Sequence, residues 1–177
     1  MQLNYCPSKT DVELRQILSL QKKNLPRAIS EEEKIKEGFV TVSHSFELLQ
    51  RMHKVCPHTI VKDGESVVGY ALSMHPKFGL EIEVLKPMFE EIKTIIPDNE
   101  RYIVMGQICI AKRYRGLGIF RKLYAKMAEL VKPNFDTIIT EVDADNTRSL
   151  NAHYAIGFRD IKKYIAGGTE WCLISLK

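Results

Sequence analysis

The residues best placed to do chemistry lie in one run, Lys112-Arg113-Tyr114-Arg115-Gly116-Leu117-Gly118, between an apolar stretch and a segment with helical spacing. A strand that feeds a helix through a glycine turn leaves several amides without partners, all near the positive end of the helix, and such a turn holds phosphate. Glycine lets the main chain come close to the oxygens, and Arg113, Arg115, Arg121 and Lys122 add positive charge. A plain connection between strand and helix is the competing explanation. Two nucleotide classes lose ground on spelling. No Gly-Lys-Ser or Gly-Lys-Thr follows the turn, and Arg121 stands where a dinucleotide fingerprint needs its third glycine.

Other reactive types are sparse. Cys6, Cys56, Cys109 and Cys172 form no CxxC pair and sit among apolar neighbours, which suits reduced thiols in a reducing, cytoplasmic protein. No metal site is expected. The balance of 26 basic against 22 acidic residues gives net +4 without a run of five like charges, so nothing calls for nucleic acid. A basic nucleic-acid-binding domain ranks last among the functions considered. The first residues, Met1-Gln2-Leu3-Asn4-Tyr5, carry no export pattern, and no segment reaches the 18 or so apolar residues of a membrane span.

The elements that must position the turn can be read from periodicity. Leu3 to Cys6 is a strand, and Ser8 or Thr10 caps a helix with Val12, Leu14, Ile17, Leu18 and Leu20 as its apolar positions. A second helix starts near Ser43 or Ser45 and is ended by Pro57. His58 to Val61 and Val67 to Met74 flank Lys62-Asp63-Gly64-Glu65 as a hairpin. Met88 to Ile96 is a helix within an insertion that spans His75 to Glu100. Arg101 to Ala111 is a buried strand leading into the turn, followed by a helix with Ile119, Leu123, Met127 and Leu130. Thr137 to Val142 is a strand, Thr147 to Ala155 a helix, and two final strands turn at Gly167-Gly168. In Glu31-Glu32-Glu33, Glu32 and Lys36 at helical spacing describe a solvated face rather than a site for a cationic acceptor. With 177 residues and 45% hydrophobic composition, this order predicts one α/β domain over 1–177, a mixed sheet covered on both faces.

The turn resembles the GNAT superfamily of acyl-CoA-dependent N-acetyltransferases, whose signature is Q/R-x-x-G-x-G/A between a strand and a helix. Arg113 to Gly118 fits every letter; the flanking apolar residues favour Arg115 to Phe120, which puts Phe120 where the family mostly has Gly or Ala. A second stretch, Asn146, Ser149, His153, Gly157 and Phe158, matches the family's spacing as well. The resemblance implies a sheet of about seven strands, mostly antiparallel with one splayed parallel pair. It implies transfer of an acetyl group from acetyl-CoA to an amine of a small molecule or a protein, and many relatives are homodimers. The donor's pyrophosphate would meet the amides of Arg115, Gly116, Leu117, Gly118, Ile119 and Phe120. Its pantetheine arm would run along Ile108, Cys109 and Ile110. Asn146 would either bond that arm or cap the helix after it, two roles of equal standing.

An acceptor ammonium with a pKa near 10.4 costs roughly 4 kcal/mol to deprotonate at neutral pH, so a base helps. The strand Tyr102 to Ala111 has no carboxylate, and only a water relayed by Gln107 could serve from there. Glu141 and Asp143 are the leading candidates, ahead of Glu81, Glu83 and His75. The departing thiolate needs an acid; in the resembling family a tyrosine acts from the position where His153 stands here, and Tyr154 follows about 100° around the helix. His153 is slightly preferred. A covalent acyl-enzyme on Cys109 is disfavoured, because apolar neighbours raise a thiol's pKa. The rival class is an idle acyl-CoA-binding module, which amine-dependent release of CoA would exclude.

Overall fold

The computed structural model describes residues 2–30, 32, 40 and 42–177. The acidic face expected at Glu31-Glu32-Glu33 with Lys36 lies outside them, apart from Glu32, which is exposed. Among the described residues, seven strands form one mixed sheet in the order β1-β2-β3-β4-β5-β7-β6, with one parallel pair. The chain gathers into two compact units, one of residues up to Ser73 with Gly106–Val131, the other of Met74–Met105 with Lys132–Lys177.

In the first unit, β1 (Leu3–Pro7) is followed by α1 (Asp11–Lys22). Thr10 starts that helix: its hydroxyl accepts from Glu13 N at 3.2 Å while the Glu13 carboxylate accepts from Thr10 N at 3.1 Å. This reciprocal cap contributes about 1 kcal/mol and fixes where the apolar stripe begins. Ser45 caps α2 (Phe46–Val55) one-sidedly, its hydroxyl accepting from Leu48 N at 3.2 Å. Strands β2 (Thr59–Asp63) and β3 (Ser66–Met74) pair antiparallel around Gly64, whose φ of +57° only glycine adopts easily.

A bulge between Val61 and Lys62 shifts that pairing, and the alternation of strand side chains sends adjacent Val67 and Val68 to different clusters. Val67, Ile60, Tyr70 and Leu72 pack with Leu14, Ile17 and Leu20 of α1 and Leu49 of α2. Val61 and Val68 pack with Ile119 and Leu123 of α4 (Ile119–Val131). Helices therefore cover both faces of these strands, as the sequence predicts. A buried polar network ties the chain before α2 to the sheet. Gln107 accepts from Tyr70 Oη (2.6 Å) and Gln21 Nε2 (2.8 Å) and donates to the Val42 carbonyl (2.8 Å). Gln21 accepts from His44 N at 2.9 Å.

The second unit holds the start of β4 (Tyr102–Ile110), with α3 (Lys86–Ile95), β5 (Thr137–Asp143), α5 (Thr147–Tyr154), β6 (Arg159–Ala166) and β7 (Thr169–Leu176). The parallel ladder of β4 and β5 pairs Tyr102, Ile103 and Val104 with Thr137, Ile138 and Ile139. Thr140 then donates its hydroxyl to the Met105 carbonyl at 3.0 Å. β7 inserts between β5 and β6, placing Leu173 opposite both Glu141 and Lys162. Residues far apart in the chain thus share one face. In the insertion, Gly79 lies under Phe89 of α3, where a Cβ would come within 2.6 Å of the ring.

Three histidines are buried, and burial pulls the imidazoles of His44, His58 and His153 down to about 4, 3 and 4. Their unfolded pKa is near 6.5, so each contributes stability that is complete above that value and lost as pH falls toward the folded one. Stability is expected to decline below pH 6.5 by about 1.4 kcal/mol per pH unit per histidine, less the opposing contribution of any buried carboxyl. Urea denaturation at pH 7.5, 6 and 5 measures the decline; a flat profile would mean the rings are hydrated.

Candidate functional site

Strand β4 ends at Ile110, one 3-10 turn spans Lys112–Tyr114, and Arg115 is extended. The turn is held from below. Tyr114 is buried, donates its hydroxyl to Asp63 at 2.7 Å and accepts from Arg113 at 2.9 Å, with the Arg113 guanidinium 4.8 Å from its ring centre. Arg115 donates from Nε to the Ile110 carbonyl (3.0 Å) and from Nη2 to Asn24 Oδ1 (2.6 Å). Its planar fork joins the end of β4 to the residues after α1, so it builds the turn besides adding charge. Arg115→Lys is expected to destabilise the protein by about 1–3 kcal/mol, since one ammonium cannot span both acceptors. Urea unfolding measures this, and an unchanged midpoint would refute the clamp.

Above that base the main chain is open. Gly116 and Gly118 have φ of +76° and +72°, both residues are exposed, and a Cβ on either would meet nothing within 4 Å. The glycines therefore answer a backbone conformation and leave free space over the first turn of α4, where amides have no intrahelical acceptor. The Lys122 amide donates to the Gly118 carbonyl at 3.4 Å. The two left-handed glycines fall on the G-x-G of Arg113 to Gly118. Both also lie within Arg115 to Phe120, the register preferred from flanking residues, whose last residue, Phe120, belongs to the helix and packs edge-on against Tyr124 with centroids 5.1 Å apart. Leu117 is half-exposed and Ile119 buried.

Beside the turn lies a cleft of about 650 Å³ between α1, β3 and the end of β4. Lys23, Lys112, Arg113 and Arg115 line it, and among the described residues no carboxylate does. Ile108 and Ile110 pack with the cluster on α4, so their side chains serve the core. Cys109 faces the opposite cluster, and burial pushes its thiol up to about 11, which removes it as a nucleophile. Gln107 spends its Oε1 on Tyr70 and Gln21 and an Nε2 hydrogen on the Val42 carbonyl, all within its buried network.

The candidate catalytic groups belong to the second unit. Glu141 on β5 accepts a hydrogen bond from Tyr164 of β6, and burial raises its carboxyl to about 7 against the lowering effect of that bond. A carboxyl that titrates near neutrality is poised to take a proton. Asp143 instead shapes the next turn, accepting from Asp145 N at 2.9 Å. Asn146 caps α5 by accepting from Ser149 N at 3.1 Å, the plainer of its two expected roles. Glu83 pairs with Lys86 on the surface, Glu81 is exposed, and His75 accepts from Lys77 N at 3.1 Å.

The two acid candidates differ sharply. His153 is 2% exposed, contacts Phe158 edge-on with centroids 5.1 Å apart, and donates Nδ1–H to the Ser149 carbonyl at 2.7 Å. With burial drawing its pKa to about 4, it is neutral at pH 7 and has no spare proton for a thiolate. The slight preference for His153 is thereby reversed. Tyr154 is 38% exposed and donates to Asp160 at 2.6 Å, which pushes its hydroxyl up to about 12. It keeps its proton throughout the neutral range. His153→Ala is expected to lower the unfolding midpoint by opening a cavity against Phe158, whereas Tyr154→Phe is expected to lower turnover while leaving that midpoint unchanged. Denaturation and steady-state rates on both variants separate the roles, and a reversed pattern would reassign them.

Residues 15–158 match the sequence model of the Acetyltransferase (GNAT) family, and the chain belongs to it. Acetyl-CoA is accordingly its acyl donor and N-acetyl transfer its class of chemistry. No curated protein matches the sequence. Among solved structures it is similar to the NatC complex bound to Gag peptide and CoA, at 18% identity over 99% of this chain and 98% of that chain, with a TM-score of 0.67. It is also similar to the ribosomal-protein-S18-alanine N-acetyltransferase of Escherichia coli (12% identity, 99% and 93% covered, TM-score 0.64). The Arabidopsis thaliana Naa50 in complex with the bisubstrate analogue CoA-Ac-MVNAL gives 11% identity, 100% and 99% covered and a TM-score of 0.64. These likenesses are of fold. Among the described residues no helix is long and apolar enough to cross a membrane, and no cluster of side chains could hold a metal ion.

Proposed function

We propose that the chain acetylates a primary amine by direct attack, with the donor's phosphates on the glycine turn and Glu141 as general base. The observation that carries the donor assignment is the pair of exposed left-handed glycines with open space above them. Bound there, acetyl-CoA supplies the thioester carbon that the amine attacks. The amides from Gly116 to Ile119 hold the phosphates, and Lys23, Lys112 and Arg113 in the adjacent cleft favour their charge. Glu141 takes the proton the amine must lose as the C–N bond forms. Tyr154 supplies a proton to the sulfur as the C–S bond breaks, its bond to Asp160 being exchanged in that step. Cys6, Cys56, Cys109 and Cys172 are unpaired thiols, which supports a reducing, cytoplasmic setting.

The acceptor is a small-molecule or protein amine. Release of free CoA thiol from acetyl-CoA should be followed with spermidine and with an alanine-initiated tripeptide amide as probes. Amine-dependent release supports the proposal. Tight binding of acetyl-CoA without amine-dependent release from either probe or from a wider amine panel would favour the idle module, a reading encouraged by the engaged protons of His153 and Tyr154.

A further inference from the structure

We infer that Tyr164 is a positioning residue for the reaction: through its hydrogen bond it fixes the Glu141 carboxylate in one rotamer and keeps that carboxyl able to ionise at neutral pH. This rests on Glu141 as the general base. The bond joins β5 to β6 across the intervening strand β7, with Leu173 opposite Glu141 on one side and Lys162 on the other. Tyr164 is 9% exposed, so its hydroxyl has little solvent to turn to, and an unpaired buried hydroxyl would be costly. Glu141 is therefore the acceptor that the fold offers it.

The charged and titratable surroundings make the hydroxyl decisive. On β6, Lys162 faces the same side but is paired with Glu91 of α3. Burial, then the Glu141 carboxylate, and least of all Glu91 push the Tyr164 hydroxyl pKa up, so Tyr164 remains a donor and never a competing anion. Asp143, two residues along β5, accepts from Asp145 N, and His153 and Tyr154 of α5 are engaged with Ser149 and Asp160. Among the described residues of this unit, Tyr164 alone donates to the Glu141 carboxylate. Burial opposes ionisation of Glu141, and the bond from Tyr164 is what opposes burial. Without it most of the carboxyls would be protonated at pH 7 and unable to accept a proton from an amine.

The test needs no acceptor. In protein labelled with 13C at glutamate side-chain carboxyls, the Glu141 resonance is assigned by its loss in Glu141→Gln and titrated in wild type and in Tyr164→Phe. The wild-type midpoint is expected near 7, and Tyr164→Phe is expected to move it up by about one unit, the effect of losing one hydrogen bond to a charge. An unmoved midpoint, or a wild-type Glu141 that titrates like an exposed glutamate, would overturn the inference. With whichever amine probe turns over, kcat of Tyr164→Phe should fall roughly five-fold at pH 7 and recover by about pH 9. A loss equal at every pH would point to structure alone. Full turnover by Glu141→Gln would instead sink the base assignment, whatever the titration shows.

Discussion

Glu141→Gln is expected to slow turnover by about a hundred-fold and, at pH 8, to make the protein more stable. The first effect is the usual contribution of a positioned general base. The second follows from the direction of its pKa. Burial raises the carboxyl from 4.5 to about 7, so the folded state prefers the protonated form. The sign is opposite to that of the histidines: a raised carboxyl contributes stability that is complete below the unfolded pKa and lost as pH rises through the folded one. Above pH 7 the wild-type protein carries a buried charge at a cost of up to about 3 kcal/mol, and Gln removes that charge while still accepting from Tyr164. By pH 5 most of that difference should be gone. Urea denaturation at pH 5 and pH 8 with parallel rate measurements reads both effects. A variant less stable at pH 8 would show that Glu141 is held as a structural anion.

Gly118→Ala is expected to weaken acetyl-CoA binding by at least about a hundred-fold for a stability cost of only about 1–2 kcal/mol. The added methyl meets no protein atom, so the cost is that of a left-handed alanine. It enters the space assigned to the phosphates, where close approach of the main chain is required. Gly167→Ala is the control. Gly167 also has positive φ, +59°, with nothing within 4 Å, but it turns the β6–β7 hairpin. It should cost the same stability and leave the affinity unchanged. Titration calorimetry on the two variants decides the matter, and equal affinities would move the phosphates away from the turn.

These contrasts show what a one-dimensional pattern carries. The helix that starts after Thr10, the hairpin at Gly64 and the strand, turn and helix around Gly116 are local, each encoded within about a dozen residues by a cap, a turn residue or a period. Their boundaries were accordingly legible to within about two residues. Glu141 was legible as a carboxylate on a strand, but its raised pKa depends on burial and on Tyr164, 23 residues away. That partnership arises because β7 inserts between β5 and β6, an order that no periodicity reveals. Arg115 was read as charge for a phosphate, and its bond to Asn24 depends on where α1 ends. His153 matched a spacing, yet its burial against Phe158 decides its protonation. Chemistry that depends on one residue type at a local turn could be read directly. Chemistry that depends on a neighbour across the sheet could not.

Acetyl-CoA binding to the glycine turn underlies every assignment above, and thermal unfolding tests it most directly. The purified protein is heated alone and with saturating acetyl-CoA, ATP or NAD. At about 100 times the dissociation constant a ligand adds roughly 2.7 kcal/mol, a rise of about 5–10 °C for a chain of this size. That rise is expected with acetyl-CoA and none with ATP or NAD. No rise with acetyl-CoA, or a rise with a nucleotide in its place, would contradict it.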